Sequence, residues 1–91
     1  MTITVYVSTV SSNMELKKQQ QKIKMVLDGK KIDYVIADIA TFPDLKTKMK
    51  EIAGEKATAP QIAKDDVYLG DYNAFDEAVE GESLMEFLKL V

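Results

Sequence analysis

Thr58-Ala59-Pro60-Gln61-Ile62-Ala63, a polar turn at Lys64-Asp65-Asp66, then Val67-Tyr68-Leu69-Gly70-Asp71-Tyr72-Asn73: the fold is read from this stretch. A proline ahead of a short apolar run donates no backbone hydrogen bond, so it belongs at the first residue of a strand, on an edge or in a bulge. Pro60 is accordingly read as a strand opener. The three polar residues after Ala63 join two strand-like runs closely enough for a hairpin, and Gly70-Asp71 is expected to break the second run before a helical pattern begins.

Upstream, Ile3, Val5 and Val7 alternate with Thr2, Thr4 and Tyr6, a period of two that predicts a strand ending at Ser8-Thr9. The polar loop from Thr9 to Asn13 leads into a helix for which Ser12 is the expected N-cap and Glu15 its capping-box partner. Leu16, Gln20, Ile23 and Leu27 share one helical face between Met14 and Asp28, and Gly29 is the expected stop. Gln19 and Gln20 interrupt that stripe and read as solvated or edge positions. Ile32 to Ala37 predicts a second strand, with Val35 and Ile36 as a consecutive buried pair. Strand, helix and strand make a βαβ unit, which calls for parallel strands and a right-handed crossover.

Thr41, Pro43 and Asp44 then look like a cap, a first-turn proline and a capping-box acid, with Leu45, Met49 and Ile52 facing inward and Gly54 as the stop. Beyond the hairpin, Phe75, Ala78 and Val79 give a short helix ending at Gly81. Ser83 with Glu86 reads as another capping box, and Leu84, Phe87, Leu88 and Val91 form a last helical stripe. The order β-α-β-α-β-β-α-α predicts an α/β fold, helices on both faces of a four-stranded mixed sheet, in one domain over residues 1–91.

Composition removes many functions. The 91 residues include no Cys and no His, so disulfides, thiol nucleophiles, thiolate or imidazole metal sites and histidine acid–base chemistry are absent. An enzyme is not expected, and neither a metal nor a cofactor. All twelve basic residues are Lys, so no guanidinium is available for bidentate phosphate or base recognition, and nucleic acid is not an expected partner. No apolar run approaches the ~18 residues of a membrane span, and the N-terminus shows no signal-peptide pattern. The expectation is a soluble cytoplasmic monomer, with the nucleus as a second compartment. The net charge of −3 conceals a division: residues 1–64 hold eleven Lys and seven acids, residues 65–91 one Lys and eight acids. Such a charge asymmetry solvates helix faces and suits a basic partner at the acidic C-terminal helices.

The element order, with Thr58-Ala59-Pro60 before the third strand and Gly70-Asp71 before the third helix, resembles the thioredoxin fold in its glutaredoxin-like form. More narrowly, the chain resembles the SH3-domain-binding glutamic-acid-rich-like proteins. The resemblance is carried by Val5-Tyr6 and the Ser/Thr-rich loop, Lys17-Lys18-Gln19-Gln20, Leu27-Asp28-Gly29-Lys30-Lys31-Ile32, Asp38-Ile39, Pro60-Gln61-Ile62, Tyr68-Leu69-Gly70-Asp71-Tyr72, Phe75, Glu77-Ala78 and Glu86-Phe87-Leu88-Lys89-Leu90. No piece is specific alone; their order and spacing are. In length, and in lacking a long acidic extension, the chain is similar to the short form of that family.

The resemblance implies that Thr9 to Asn13 stands where redox glutaredoxins carry Cys-x-x-Cys, here without a cysteine. It implies a cis Pro60, with the backbone of Ala59 placed to pair with the cysteinyl part of glutathione, and with Gly70, Asp71 and Asn73 at the site of its γ-glutamyl carboxylate. Lys17 or Lys18 would hold the other carboxylate. Asp71 stands where many glutaredoxins have glycine and adds a like charge, which counts against glutathione. The family name suggests SH3 binding through a proline-rich segment, yet Pro43 and Pro60 are the only prolines and no PxxP helix can form. The resulting expectation is a non-catalytic adaptor or modulator, linked by resemblance to signalling or the actin cytoskeleton, whose partner is another protein. Its contact face would comprise Thr9, Ser11, Ser12, Ala59, Pro60, Gly70, Asp71, Tyr72 and Asn73. The alternative is glutathione-type small-molecule binding without turnover on the same face.

Overall fold

β1 (Ile3–Val7) is buried on both faces because it lies inside the sheet rather than at its rim. The computed structural model describes residues 2–10 and 13–90, in which β1 is followed by α1 (Met14–Gly29), β2 (Tyr34–Asp38), α2 (Pro43–Ala53), β3 (Gln61–Lys64), β4 (Val67–Asp71), α3 (Tyr72–Glu80) and α4 (Leu84–Phe87). The sheet order is β2-β1-β3-β4. β1 pairs parallel to β2, with Val5 opposite Ile36, and antiparallel to β3, with Val5 opposite Ile62. The mixed four-stranded sheet and the order of elements are those the sequence predicts, and the chain has the thioredoxin fold.

Side-chain alternation sorts the core into two layers. Ile3, Val5, Val7 and Ile62 pack on one face against Ile23 and Leu27 of α1, Phe75 of α3, and Leu84 and Leu88 around α4. Tyr6, Ala37 and Ala63 pack on the other face against Met49 of α2. Phe75 and Phe87 meet edge to face with centroids 6.3 Å apart, a favoured aromatic geometry.

The hairpin forms, with a turn of two residues instead of the three read: Lys64 belongs to β3. Asp65 and Asp66 sit at φ 49° and 68° between paired Lys64 and Val67, the two positive-φ positions of a tight hairpin whose twist matches its strands. Asp65 also joins the turn to the start of β1: its N–H donates to the Thr2 carbonyl at 2.9 Å and its Oδ1 accepts the Thr2 N–H at 2.8 Å.

Several local expectations are corrected. Val35 and Ile36 are 51% and 38% exposed, not a buried pair, because β2 is an edge strand whose packing against the core falls to Tyr34 and Ala37. Gly70-Asp71 continues β4 rather than breaking it; a bulge between Ile62 and Ala63 sets Gly70 opposite Ile62. Asn13, not Ser12, caps α1, its Oδ1 accepting from the amides of Glu15 and Leu16 at 2.9 and 3.3 Å. Gly29 is the last residue of α1, and the positive φ that turns the chain belongs to Lys31. Phe42 rather than Thr41 is the N-cap residue of α2, with Pro43 at N1 and no side-chain cap bond. Ser83 precedes α4 without a cap bond from its side chain, so that capping box does not close. Gly54 does end α2, at φ 110°. Val91, assigned to the last stripe, lies outside the described residues.

Candidate functional site

The connection from α2 into β3 passes through Thr58 and a cis Ala59–Pro60 peptide, the isomer that the resemblance implies. Pro60 is buried and opens β3, so the main chain of Ala59 lies before the ladder. Beside it, β4 runs directly into α3, which brings Asp71, Tyr72 and Asn73 across from Ala59. The result is a groove of about 140 Å³ between the two connections, lined also by Gln19 of α1.

Of the nine residues read as a contact face, the groove brings together Ala59, Pro60, Asp71, Tyr72 and Asn73. Ser11 and Ser12 lie outside the described residues. Gly70 is buried beneath the groove instead of lining it: a Cβ there would come within 2.9 Å of both the Ala74 Cβ and the Phe87 ring. Thr9 is not among the lining residues. It is anchored by Asp38 at the end of β2, whose Oδ1 accepts the Thr9 N–H at 3.2 Å and the Ala40 N–H at 3.0 Å. Asp38 Oδ2 accepts the hydroxyls of Thr9 at 2.6 Å and Thr41 at 2.5 Å. Those bonds, the Thr41 hydroxyl first, hold the Asp38 carboxyl well below the usual carboxylate range.

Two buried glutamines fasten loops at this end of the sheet, and one of them, Gln61, lines the groove. Gln20, 7% exposed, is neither solvated nor at an edge: its Oε1 accepts the Ser8 N–H at 2.8 Å and its Nε2 donates to the Ser8 carbonyl at 3.1 Å. Gln61, also 7% exposed, donates through Nε2 to the Thr58 carbonyl at 2.8 Å and accepts at Oε1 from the Tyr68 hydroxyl at 2.9 Å. Burial, with the Asp71 carboxylate behind it, pushes the Tyr68 hydroxyl above its ordinary value and keeps it a donor. One amide therefore fastens the loop after β1, the other the loop before β3. Sequence reasoning left Gln19, Thr58 and Gln61 out of the contact face; the signal available was a glutamine within an apolar stripe.

The electrostatics of the groove are set by Asp71. It is the N-cap of α3, and its Oδ1 accepts the Ala74 N–H at 3.0 Å. A carboxylate thus already occupies the helix end that would otherwise attract an anion. The remaining polar groups of the groove are amides and hydroxyls, suited to hydrogen bonding with a peptide or a small polar molecule and holding no thiol.

The model of the SH3-binding, glutamic acid-rich protein family matches residues 1–91. A curated relative from Drosophila melanogaster, the SH3 domain-binding glutamic acid-rich protein homolog, is 43% identical over 105 residues, a match that takes in 99% of this chain. The chain spans 65% of the length of that relative. Among solved structures, the actin interacting protein Aip5 of C. albicans superposes with a TM-score of 0.80 at 21% identity, covering 99% of this chain and 90% of the other. The holo form of glutaredoxin C1 from populus tremula x tremuloides gives a TM-score of 0.71 at 16% identity over 96% of this chain and 82% of the other. A buckwheat glutaredoxin–glutathione complex gives 0.70 at 14% identity over 96% and 76%.

Proposed function

Because the chain belongs to the SH3-binding, glutamic acid-rich protein family, we propose that it is a non-catalytic binding module, a cytoplasmic monomer that engages other proteins through the groove beside Pro60. The observation that carries this reading is a groove whose lining residue Gln61 is buried and hydrogen-bonded to Thr58 and Tyr68, in a chain with no cysteine. Thiol–disulfide exchange requires a thiolate, and without one the ordered groove serves recognition alone. The names of the relatives set the order in which partners are tried: SH3 domains and actin. For an SH3 domain, contact would not be through a PxxP helix, since Pro43 begins α2 and Pro60 is buried in the sheet.

The test is quantitative binding of purified SH3 domains and of actin to the wild-type chain and to Asn73→Lys and Gln19→Lys, which alter the lining of the groove without touching the core. A partner whose affinity falls about tenfold or more, the signature of a contact at the centre of an interface, supports the reading. A partner that binds every groove variant as well as the wild type removes it.

A second reading is supported by the likeness to a glutaredoxin–glutathione complex: the groove holds a glutathione-like molecule without turnover. Ala59 would supply backbone hydrogen bonds and Asn73 would face the carboxylate. The carboxylate of Asp71 at the head of α3 weighs against it.

A further inference from the structure

Thr58 and Ala59 border not one depression but two. The second, of about 330 Å³, opens between the start of α1, α2 and residues 55–59. Its floor is apolar, formed by fully buried Met49 with half-buried Leu16, Ile39 and Ala57. Around it stand Lys46, Lys50 and Lys56 against one acid, Glu55. None of these three ammonium groups has an ion-pair partner among the described residues; the pairs formed there are Lys22 with Asp76 and Lys48 with Asp66.

The geometry points to this depression as the docking site for an acidic peptide segment that carries one apolar anchor side chain. The inference rests on the reading of the chain as a protein-binding module and adds the chemistry of the partner. Its volume lies at the lower end of the ~300–1,000 Å³ typical of ligand pockets, enough for one large side chain and the adjoining main chain. An apolar floor ringed by unpaired cations leaves the ammonium groups in water until carboxylates arrive, so the charges favour the bound state without being desolvated beforehand. The division of charge along the chain adds to this. Residues 1–64 carry the excess of lysine and residues 65–91 the excess of acid, so an acidic ligand is steered toward this depression and repelled by the C-terminal helices. Lysine ammoniums act as point charges with no fixed fork geometry, which suits a run of glutamates better than one planar group held at a set angle.

The experiment is an amide chemical-shift titration of the ¹⁵N-labelled chain with the acetylated, amidated peptide Glu-Glu-Glu-Leu-Glu-Glu-Glu at about 50 mM salt, where screening is weak. The expected result is saturable shifts at Leu16, Ile39, Lys46, Lys50, Lys56 and Ala57. The dissociation constant should rise about tenfold or more in Lys46→Glu/Lys56→Glu, and less in Lys46→Gln/Lys56→Gln, as expected when facing charges are reversed or removed. Replacing the peptide leucine by serine should also weaken binding, and the all-lysine counterpart should cause no shifts. Both lysines are exposed, and the same spectra show whether each variant keeps its fold. Absence of saturation, shifts elsewhere, or equal affinity for the charge-reversed variant would overturn the inference. So would binding to vesicles containing anionic lipid without binding to the peptide. The peptide titration needs no natural partner, so its failure is separate from failure of the SH3 and actin measurements on the Gln19 and Asn73 variants.

Discussion

The side-chain amide of Gln20 clasps the main chain of Ser8 on both of its hydrogen-bonding groups, accepting the N–H at 2.8 Å and donating to the carbonyl at 3.1 Å. It does for the end of β1 what another strand would do, and it fixes where the following loop departs. A buried amide so placed is satisfied only while both bonds exist.

Gln20→Leu should therefore destabilise the chain by about 1–3 kcal/mol, because it leaves two main-chain groups unpaired even though it extends the apolar stripe. Urea unfolding measures this directly. Gln20→Glu should be destabilised at neutral pH, where a carboxylate faces the Ser8 carbonyl, and should regain part of the loss in acid, where the protonated group can donate. Stability that is flat between pH 3 and 7 in that variant would contradict the bidentate geometry.

At the adjoining strand end, Asp38 accepts four hydrogen bonds from Thr9, Ala40 and Thr41. Its carboxyl is lower in the folded than in the unfolded chain, so its contribution to stability is complete above the ordinary aspartate value near ~4 and is lost as pH falls toward the folded value. The amide resonances of Thr9 and Ala40 should thus hold steady from pH 7 down past ~4, and should titrate only below the range of ordinary aspartates. In Asp38→Ala the same two resonances should shift toward random-coil positions at every pH.

Two glycine replacements should have opposite outcomes. Gly70→Ala places a Cβ 2.9 Å from the Ala74 Cβ and from the Phe87 ring, which packs against the core layer. Overpacking of this kind costs about 1–3 kcal/mol. Gly29→Ala meets nothing within 4 Å and sits in α1 without a positive φ, so it should be neutral or stabilise by up to about 1 kcal/mol. Thermal unfolding of the pair separates a glycine kept for close approach from one that ends a helix.

Asp71 tests the small-molecule reading. Asp71→Asn keeps a side-chain oxygen for the Ala74 N–H, asparagine being as good an N-cap as aspartate, and removes the negative charge from the head of α3. If glutathione enters the groove in the orientation that the fold suggests, the variant should bind it more tightly than the wild type, with shifts at Ala59, Gln61 and Asn73. Identical titrations for both chains would exclude that orientation.

The order and type of the elements could be read along the chain because the signals are local: a period of two in Ile3, Val5 and Val7, a helical period in Leu16, Ile23 and Leu27, and a polar turn between Ala63 and Val67. The absence of cysteine, histidine and arginine likewise settled which chemistries the 91 residues can offer. What only the tertiary structure decided is where polar side chains spend their hydrogen bonds and which strands lie at the rim. Gln20 finds Ser8 twelve residues away, Thr9 finds Asp38 twenty-nine away, and the hydroxyl of Thr41 turns from capping α2 to the same carboxylate. Val35 and Ile36 have the pattern of a buried pair, yet they are exposed at the rim of the sheet, where Tyr34 and Ala37 of β2 are the residues that pack against the core. Each of these outcomes is a competition between alternative partners, settled by which atoms the assembled sheet and helices bring within reach, and no local period carries that information.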